Sequence, residues 1–335
     1  MPVPCFAPDV SVVITTRNRR VWLEESLASV LGQDGPAFEV LVVDDASSDD
    51  TWPWLQAISD SRVRAVRLGI PSERAVARNT GLADARGRRI MFLDDDDTLW
   101  RGALEVLAAG LDRHPDAIAA VGARQVWFAD EDYRRRDAHP RVSGLRDVTH
   151  DLLVGWSSVS GQNLYRTESV RRAGGFNHQL IPCEDRDLWL RLALLGPVVL
   201  QPQVVMTYRM HPAQWRPDDI RRIRETVAQT AILALPEGKR GYALRLRRTT
   251  GLLDRAEDAL SAGSMASGVV CAAQAFASSP AIFASPLVGE WVLRRLLGRV
   301  ARRIRPVRPG RGAGPAVRPI ESPDRPAPDY SQLKR

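Results

Sequence analysis

Residues 90–97 read IMFLDDDD, so an apolar run leads directly into four consecutive aspartates. An apolar run of this kind is typical of a buried strand. Four carboxylates a few ångströms apart repel one another strongly, so a cation is expected among them. A hard divalent ion, Mg²⁺ or Mn²⁺, prefers oxygen ligands and in turn holds phosphates. The alternative interpretation is a solvated acidic turn before the helix that begins near Gly102.

Short apolar segments alternate with helical spacing on both sides of this stretch. Strands are expected at residues 10–15, 40–43, 63–68, 89–93 and 118–126. Helices are expected between them at residues 21–31, 51–58, 73–85 and 102–113. This alternation indicates an α/β fold with a mostly parallel sheet flanked by helices on both faces. Because ligands bind at the carboxyl ends of such strands, Thr15, the pair Asp44-Asp45 and the four aspartates are expected to share one cleft.

The second half of the chain changes character. Residues 129–151 are polar and Arg-rich and are expected to form a loop. Further strands are expected at residues 160–165, 198–200 and 204–209, and an amphipathic helix at residues 184–195. Helical spacing continues from residue 218 to about residue 277 as a C-terminal helical appendage. Residues 306–335 are rich in Pro, Gly and Arg, a composition that predicts disorder.

The net charge of the 335 residues is +7, and positive charge concentrates near the C-terminus. Residues 290–305 have the spacing of an amphipathic helix with arginines around its polar face. Such a segment favours an anionic membrane surface as partner, and no nucleic acid is expected. Residues 259–289 carry no charge, but Ala, Ser, Gly and two prolines dominate there, so packed helices are expected instead of a membrane span.

Cysteine usage and the N-terminus bear on the compartment. Cys5, Cys183 and Cys271 are too few and too widely spaced for a disulfide framework or a zinc site. The first residues show no basic segment followed by a long apolar stretch, so no secretory signal is expected. A cytoplasmic protein is therefore expected, with possible peripheral contact to the inner face of the membrane.

Six motifs in fixed order resemble the family 2 inverting glycosyltransferases with the nucleotide-binding GT-A fold. They are SVVITTRNR at 11–19, VVDDAS at 42–47, ARNTG at 77–81, FLDDDD at 92–97, GGF at 174–176 and EDRDLWLRL at 184–192. The resemblance covers about residues 9–212. It implies a catalytic GT-A-like domain over residues 1–217, followed by a helical region over 218–305 and the tail over 306–335.

The resemblance assigns roles on the donor side of the cleft. It implies that Asp94 contacts the nucleotide and that Asp96 binds the metal at the diphosphate. Asp95, between them, is predicted to bind the nucleotide sugar as well. Which of the four aspartates touch metal stays open, since Asp95 and Asp97 could instead cap the next helix. A nucleotide-contacting acid is implied at Asp45, with Asp44 as the alternative.

Further donor contacts follow from the same resemblance. Thr15 and Arg17 are implied at the base, although Arg17 replaces the aromatic residue that the family often carries there. Arg78 is implied to pair with phosphate oxygens, as Arg does well. Its alternative is a surface arginine.

The resemblance also implies the catalytic base. Asp185 matches the acid that removes the proton from the acceptor hydroxyl in an inverting transfer. Glu184 and Asp187 are the next candidates, and helix capping is the structural alternative. His211 is implied as a metal ligand, although a lone His is more often a surface or core residue. The Gln-x-x-Arg-Trp motif of processive members is absent from the sequence, so a non-processive hexosyltransferase-like enzyme is expected.

The expected function is a metal-dependent inverting transfer from a nucleotide sugar, UDP-linked by expectation, to a hydroxyl of a glycan, lipid-linked or small-molecule acceptor. Mn²⁺ or Mg²⁺ is the expected cofactor. One alternative is a nucleotidyltransferase of related fold, although no Gly-rich loop with Arg and Lys follows the first strand. The other is a catalytically inactive, membrane-associated scaffold.

Overall fold

The computed structural model describes residues 8–128, 133–137, 140, 142–154, 156, 158–180, 183–211, 220–235, 237–280 and 283. The strands among them are β1 (Val10–Thr16), β2 (Phe38–Asp44), β3 (Val63–Arg67), β4 (Arg89–Asp94), β5 (Thr98–Leu99), β6 (Ala119–Phe128), β7 (Tyr133–Asp137), β8 (Gly144–Arg146), β9 (Asn163–Arg166) and β10 (Val198–Met210). The α-helices among them are α1 (Arg20–Leu31), α2 (Thr51–Gln56), α3 (Glu73–Asp84), α4 (Ala103–Arg113), α5 (Thr149–Val154), α6 (Thr167–Arg172), α7 (Glu184–Ala193), α8 (Ile220–Ala234), α9 (Glu237–Ala262) and α10 (Met265–Ser278).

One mixed sheet organises the fold, in the order β3-β2-β1-β4-β9-β6-β10-β5. The first four strands of this order are parallel, as are β6 and β10. Strand β9 is antiparallel to both its neighbours, and β5 is antiparallel to β10. The predicted mostly parallel sheet flanked by helices is confirmed, together with the C-terminal helices.

Both faces of the sheet are buried, which explains the unbroken apolar runs of its strands. Alternate residues of β1 enter different cores. Val12 and Ile14 pack in one cluster with Leu27 of α1. Val13 packs in the opposite cluster with Ala77 of α3. The sheet is therefore held rigidly between two helical layers.

Strand register brings the polar motifs to one edge of the sheet. Thr15 lies opposite Val43 of β2 on one side and Asp94 of β4 on the other. Thr16 lies opposite Asp44. The carboxyl ends of β1, β2 and β4 therefore lie side by side, at the edge of the sheet where the cleft is predicted.

The structure corrects two expectations about secondary structure. The loop expected over residues 129–151 contains β7, β8 and the start of α5. Strand β7 lacks the apolar alternation of a strand and forms by backbone pairing along the edge of β6. The two short strands expected over residues 198–209 are one strand, β10, whose register shifts between Leu200 and Met206.

The far C-terminus lies outside the described residues. The helix predicted at residues 290–305 and the tail at 306–335 both fall there. Among the described helices, none is both long and apolar enough to cross a membrane.

Candidate active site

The end of β4 and the loop after it concentrate acidic side chains. One oxygen from each of Asp94, Asp96 and Asp97 lies within 4.8 Å of the others. Asp97 is fully buried, and its Oδ1 accepts the backbone N–H of Arg209 at 2.9 Å. Its Oδ2 has no hydrogen-bond partner among the described residues. Gly102 occupies the position before α4, so Asp97 does not cap that helix. The hydrogen bond from Arg209 joins Asp97 to β10 instead.

Burial and mutual repulsion make this cluster electrostatically unfavourable. Burial, and then the charge of Asp96, raises the pKa of Asp95 to about 7. The same causes, burial first, raise the pKa of Asp97 well above its usual value. Oxygen donors at close range and a buried unpartnered oxygen suit a hard divalent cation, which would offset both effects. The residues present therefore fit Mg²⁺ or Mn²⁺.

Arg19, at the start of α1, contacts two of these aspartates. Its Nη1 lies 3.2 Å from Asp95 Oδ1 and 3.0 Å from Asp96 Oδ2. Thr16 Oγ1 donates a second hydrogen bond to Asp95 at 2.7 Å. Arg19 was not predicted as a site residue, although it ends the first motif and lies only three residues after the end of β1.

His211 follows β10 and reaches the same loop. Its Nε2 lies 3.0 Å from Asp96 Oδ2, and its ring stacks on Trp22. The structure thus brings together the two residues that were predicted to hold the metal. Trp22 was not anticipated as part of the site, because it belongs to the apolar spacing of α1.

Arg78 of α3 links the two acidic motifs. It is only 3% exposed. Its Nη2 donates to Asp94 Oδ1 at 2.5 Å, and its Nη1 donates to Glu184 Oε1 at 2.9 Å. Burial opposes the charge of Arg78, but Asp94 and Glu184 outweigh it and raise the pKa of the guanidinium. Two of its nitrogens are therefore directed at carboxylates, and the predicted phosphate contact stays a prediction.

Three acids at the start of α7 have different surroundings. Glu184 is 2% exposed and is bound to Arg78, and burial raises the pKa of its carboxyl. Asp187 is buried and accepts hydrogen bonds from Arg191. Asp185 is half-buried, and its Oδ1 accepts the backbone N–H of Arg186 at 2.7 Å. Asp185 is thus the most accessible of the three.

Two neighbouring acids, the last residue of β2 and the residue after it, are also distinguished by their surroundings. Asp44 is fully buried, and its Oδ1 accepts the backbone N–H of Ser47 at 3.1 Å. Asp45 accepts the backbone N–H groups of Ser72 at 2.6 Å and Glu73 at 3.1 Å. Asp45 therefore holds the N-terminus of α3, the helix that carries Arg78.

The remaining predicted donor residues lie at the end of β1 and directly after it. Thr15 is half-buried and lies opposite Asp94 of β4, whereas Arg17 is exposed. The neighbouring Asn18 binds the loop after β2, since Ser48 donates its backbone N–H to Asn18 Oδ1 at 2.7 Å. The loops after β1 and β2 are therefore fixed to each other beside the cleft.

Comparison with known proteins identifies the family. The model of glycosyl transferase family 2 matches residues 11–173. An uncharacterized protein of Mycobacterium tuberculosis is 31% identical over 223 residues, covering 62% of this chain and 68% of that protein. The Escherichia coli protein WfaP, named as a UDP-Glc:alpha-D-GlcNAc-diphosphoundecaprenol beta-1,3-glucosyltransferase, is 38% identical over 88 residues. That match covers 26% of this chain and 35% of WfaP, so the chain spans about a third of its length.

Solved structures show the same fold. The crystal structure of Staphylococcus aureus TarS 1–349 in complex with UDP-GlcNAc superposes with a TM-score of 0.61 at 17% identity. The match covers 90% of this chain and 93% of the TarS chain.

Proposed function

The chain belongs to glycosyl transferase family 2, and from that premise we propose that it moves a sugar from a UDP-linked donor to a hydroxyl of a lipid-linked glycan. The donor class is supported by the TarS structure, which holds UDP-GlcNAc, and by the name of WfaP, which acts with UDP-Glc. The acceptor class is supported by the same name, which specifies a GlcNAc-diphosphoundecaprenol acceptor.

The bridge made by Arg78 is the observation that carries this proposal. One guanidinium contacts Asp94 on the donor side and Glu184 beside Asp185 on the acceptor side. The aspartate cluster and the proposed base would therefore line opposite sides of one cleft. A donor diphosphate held at the first and an acceptor hydroxyl held at the second would approach each other within it.

Metal dependence is the second part of the proposal. Asp96 would hold Mn²⁺ or Mg²⁺, with His211 as a further ligand and oxygens of Asp94 and Asp97 close by. The bound ion would offset the charge that develops on the departing nucleoside diphosphate. The buried, unpartnered Oδ2 of Asp97 supports a cation at this position.

Asp185 is the proposed general base of an inverting transfer. It would accept the proton of the acceptor hydroxyl while the anomeric carbon is attacked from the face opposite the diphosphate. Glu184 and Asp187 are each bound to an arginine inside the protein, whereas Asp185 is half-buried at the start of α7. Accessibility therefore favours Asp185 over its two neighbours.

The nucleoside is proposed to lie against the loops after β1 and β2. Thr15 and Arg17 would contact the base, and Asp45 would accept a hydrogen bond from a ring N–H or a ribose hydroxyl. Each carboxylate oxygen of Asp45 keeps one lone pair beyond its backbone bond. Asp95 would contact the sugar nucleotide from the metal side.

The regions beyond the cleft complete the proposal. Residues 1–217 would form the catalytic domain, and residues 290–305 would hold the enzyme on the inner face of an anionic membrane. That placement would bring a lipid-linked acceptor to the cleft. Helices α8, α9 and α10 would connect the catalytic domain to this membrane-binding segment.

A donor panel tests the activity. Purified full-length protein is incubated with UDP-, GDP- and TDP-linked sugars and a synthetic GlcNAc-diphospholipid, and the released nucleotide is identified by chromatography. Release of UDP, abolished by EDTA and restored by Mn²⁺ or Mg²⁺, is expected, and Asp96→Ala is expected to be inactive although folded. Release of pyrophosphate would contradict glycosyl transfer, and full activity in EDTA would contradict the metal role.

A further inference from the structure

Trp22 of α1 covers the end of β10 beside the aspartate cluster. Its ring stacks on the His211 imidazole, with ring centroids 5.0 Å apart and planes at 28°. The guanidinium carbon of Arg209 lies 4.3 Å from the centroid of the Trp22 ring. Residues 209 and 211 lie on the same side of the extended chain, since side chains alternate along it. One indole therefore contacts both.

Arg209 and His211, which both contact the Trp22 ring, also contact the aspartates. The backbone N–H of Arg209 donates to Asp97 at 2.9 Å, and His211 Nε2 lies 3.0 Å from Asp96. Arg209 also donates to Glu25, one turn further along α1, at 2.6 Å. Helix α1 thus holds this end of β10 at two points.

His211 needs such support because of its position. The last residue of β10 paired with β6 is Met210, so His211 follows the end of the strand ladder. Without a neighbouring ring, its imidazole would sample several rotamers, and only some of them reach Asp96. Residues that fix the orientation of a metal-binding imidazole affect metal affinity without touching the metal.

We propose that Trp22 is a positioning residue for the metal site, which holds the His211 imidazole against Asp96 and thereby completes the ligand set for the divalent cation. This inference rests on the proposed metal dependence. It adds a residue from α1, outside the acidic motif, to the determinants of metal affinity.

The test measures Mn²⁺ binding to full-length protein by electron paramagnetic resonance of the free ion, with no donor or acceptor present. Trp22→Leu keeps an apolar side chain and removes the ring, and it is expected to weaken Mn²⁺ binding by about tenfold, the lower end for residues that orient a metal ligand. Trp22→Phe restores a ring and is expected to recover most of the affinity.

Two further variants separate positioning from general packing. In a His211→Ala background, Trp22→Leu is expected to have no further effect, because it acts through the imidazole. Trp127 also packs on Arg209, with its ring centroid 4.8 Å from the guanidinium carbon, but no ring contact joins it to His211 among the described residues. Trp127→Leu is expected to leave Mn²⁺ affinity unchanged.

The outcomes distinguish this inference from the proposed function. The role of Trp22, but not the metal site, would be overturned if folded Trp22→Leu bound Mn²⁺ as tightly as the wild type. The same conclusion would follow if Trp22→Leu weakened Mn²⁺ binding as much in the His211→Ala background as in the wild type. Absence of Mn²⁺ binding by the wild-type protein would overturn the metal site as well. Thermal unfolding of every sample confirms folding, and Trp22→Met replaces Trp22→Leu if the latter does not fold.

Discussion

Replacing Arg78 by Ala tests whether one buried guanidinium joins the two halves of the site. The substitution leaves Glu184, which is 2% exposed, and the half-buried Asp94 without their shortest cationic contact. Removing one partner of a buried ion pair costs about 3–5 kcal/mol, because the remaining charge is uncompensated. Arg74 lies 3.7 Å from Glu184 and relieves part of this penalty, so the lower end applies.

This loss in the free energy of unfolding corresponds to a measurable decrease in the thermal midpoint. A loss of about 3 kcal/mol corresponds to a decrease of about 6–12 °C for a domain of this size. Differential scanning calorimetry of the full-length protein measures it. Arg74→Ala is the matched control, since it removes an arginine from the same helix that also contacts Glu184. Its side chain is 41% exposed, and such pairs contribute about 0–1 kcal/mol.

The pH dependence supplies a second readout with a definite sign. Burial already raises the pKa of Glu184, and removing Arg78 raises it further. In the unfolded chain, a glutamate carboxyl has a pKa of about 4. Between about pH 4 and the raised pKa of Glu184, the folded variant therefore binds more protons than the unfolded variant. Stability of the variant therefore falls as pH rises through this window. The difference in stability between wild type and Arg78→Ala should therefore be smaller at pH 5 than at pH 7.5.

A double variant decides whether the loss comes from the uncompensated charge. Glu184→Gln removes that charge, so adding it to Arg78→Ala should recover part of the lost midpoint, whereas Glu184→Gln alone should destabilise. The reasoning would be refuted if Arg78→Ala shifted the midpoint no more than Arg74→Ala, or if the deficit were independent of pH.

Three other predictions concern separate parts of the molecule. Asp185→Asn should lower turnover by about 10²–10⁴-fold in a single-turnover assay, with donor affinity nearly unchanged by calorimetry. Wild-type turnover in this variant would show that another residue is the base. Gly81→Ala should destabilise by about 1–3 kcal/mol in urea denaturation, because its Cβ would lie 2.3 Å from Val13 Cγ1, whereas Gly251→Ala, with open space in α9, should be neutral or stabilising. Replacing the arginines of residues 290–305 by Gln should abolish co-sedimentation with anionic vesicles, and equal binding to neutral vesicles would exclude electrostatic attachment.

Some features of α3 show what sequence periodicity leaves unexplained. Asn79 and Gly81 are poor residues for a helix interior, yet both lie inside α3. Asn79 exchanges hydrogen bonds of 2.8 Å with the backbone of Phe176, which follows it by 97 residues. Gly81 lets the helix approach Val13 of β1. Both residues serve contacts that are distant in sequence.

The sequence by itself determined the alternating fold and the edge of the sheet at which the acidic motifs gather. It did so because apolar periodicity records which faces are buried, and because the carboxyl ends of parallel strands share one edge. The family resemblance selected Asp185, but the residues alone could not rank it against Glu184 and Asp187, since neighbouring carboxylates are chemically equivalent until burial and partners distinguish them.

Tertiary structure alone decided those differences. Arg78 binds Asp94 and also Glu184, which lies 106 residues further along the chain, and Arg191 binds Asp187. Of the three acids of α7, Asp185 is therefore the most accessible. The apolar spacing of α1 predicts Trp22 as a core residue, and only the structure shows that His211, directly after β10, stacks on its ring. Such pairings depend on the order and register of strands, which arise from the packing of the whole sheet and leave no local pattern in the sequence.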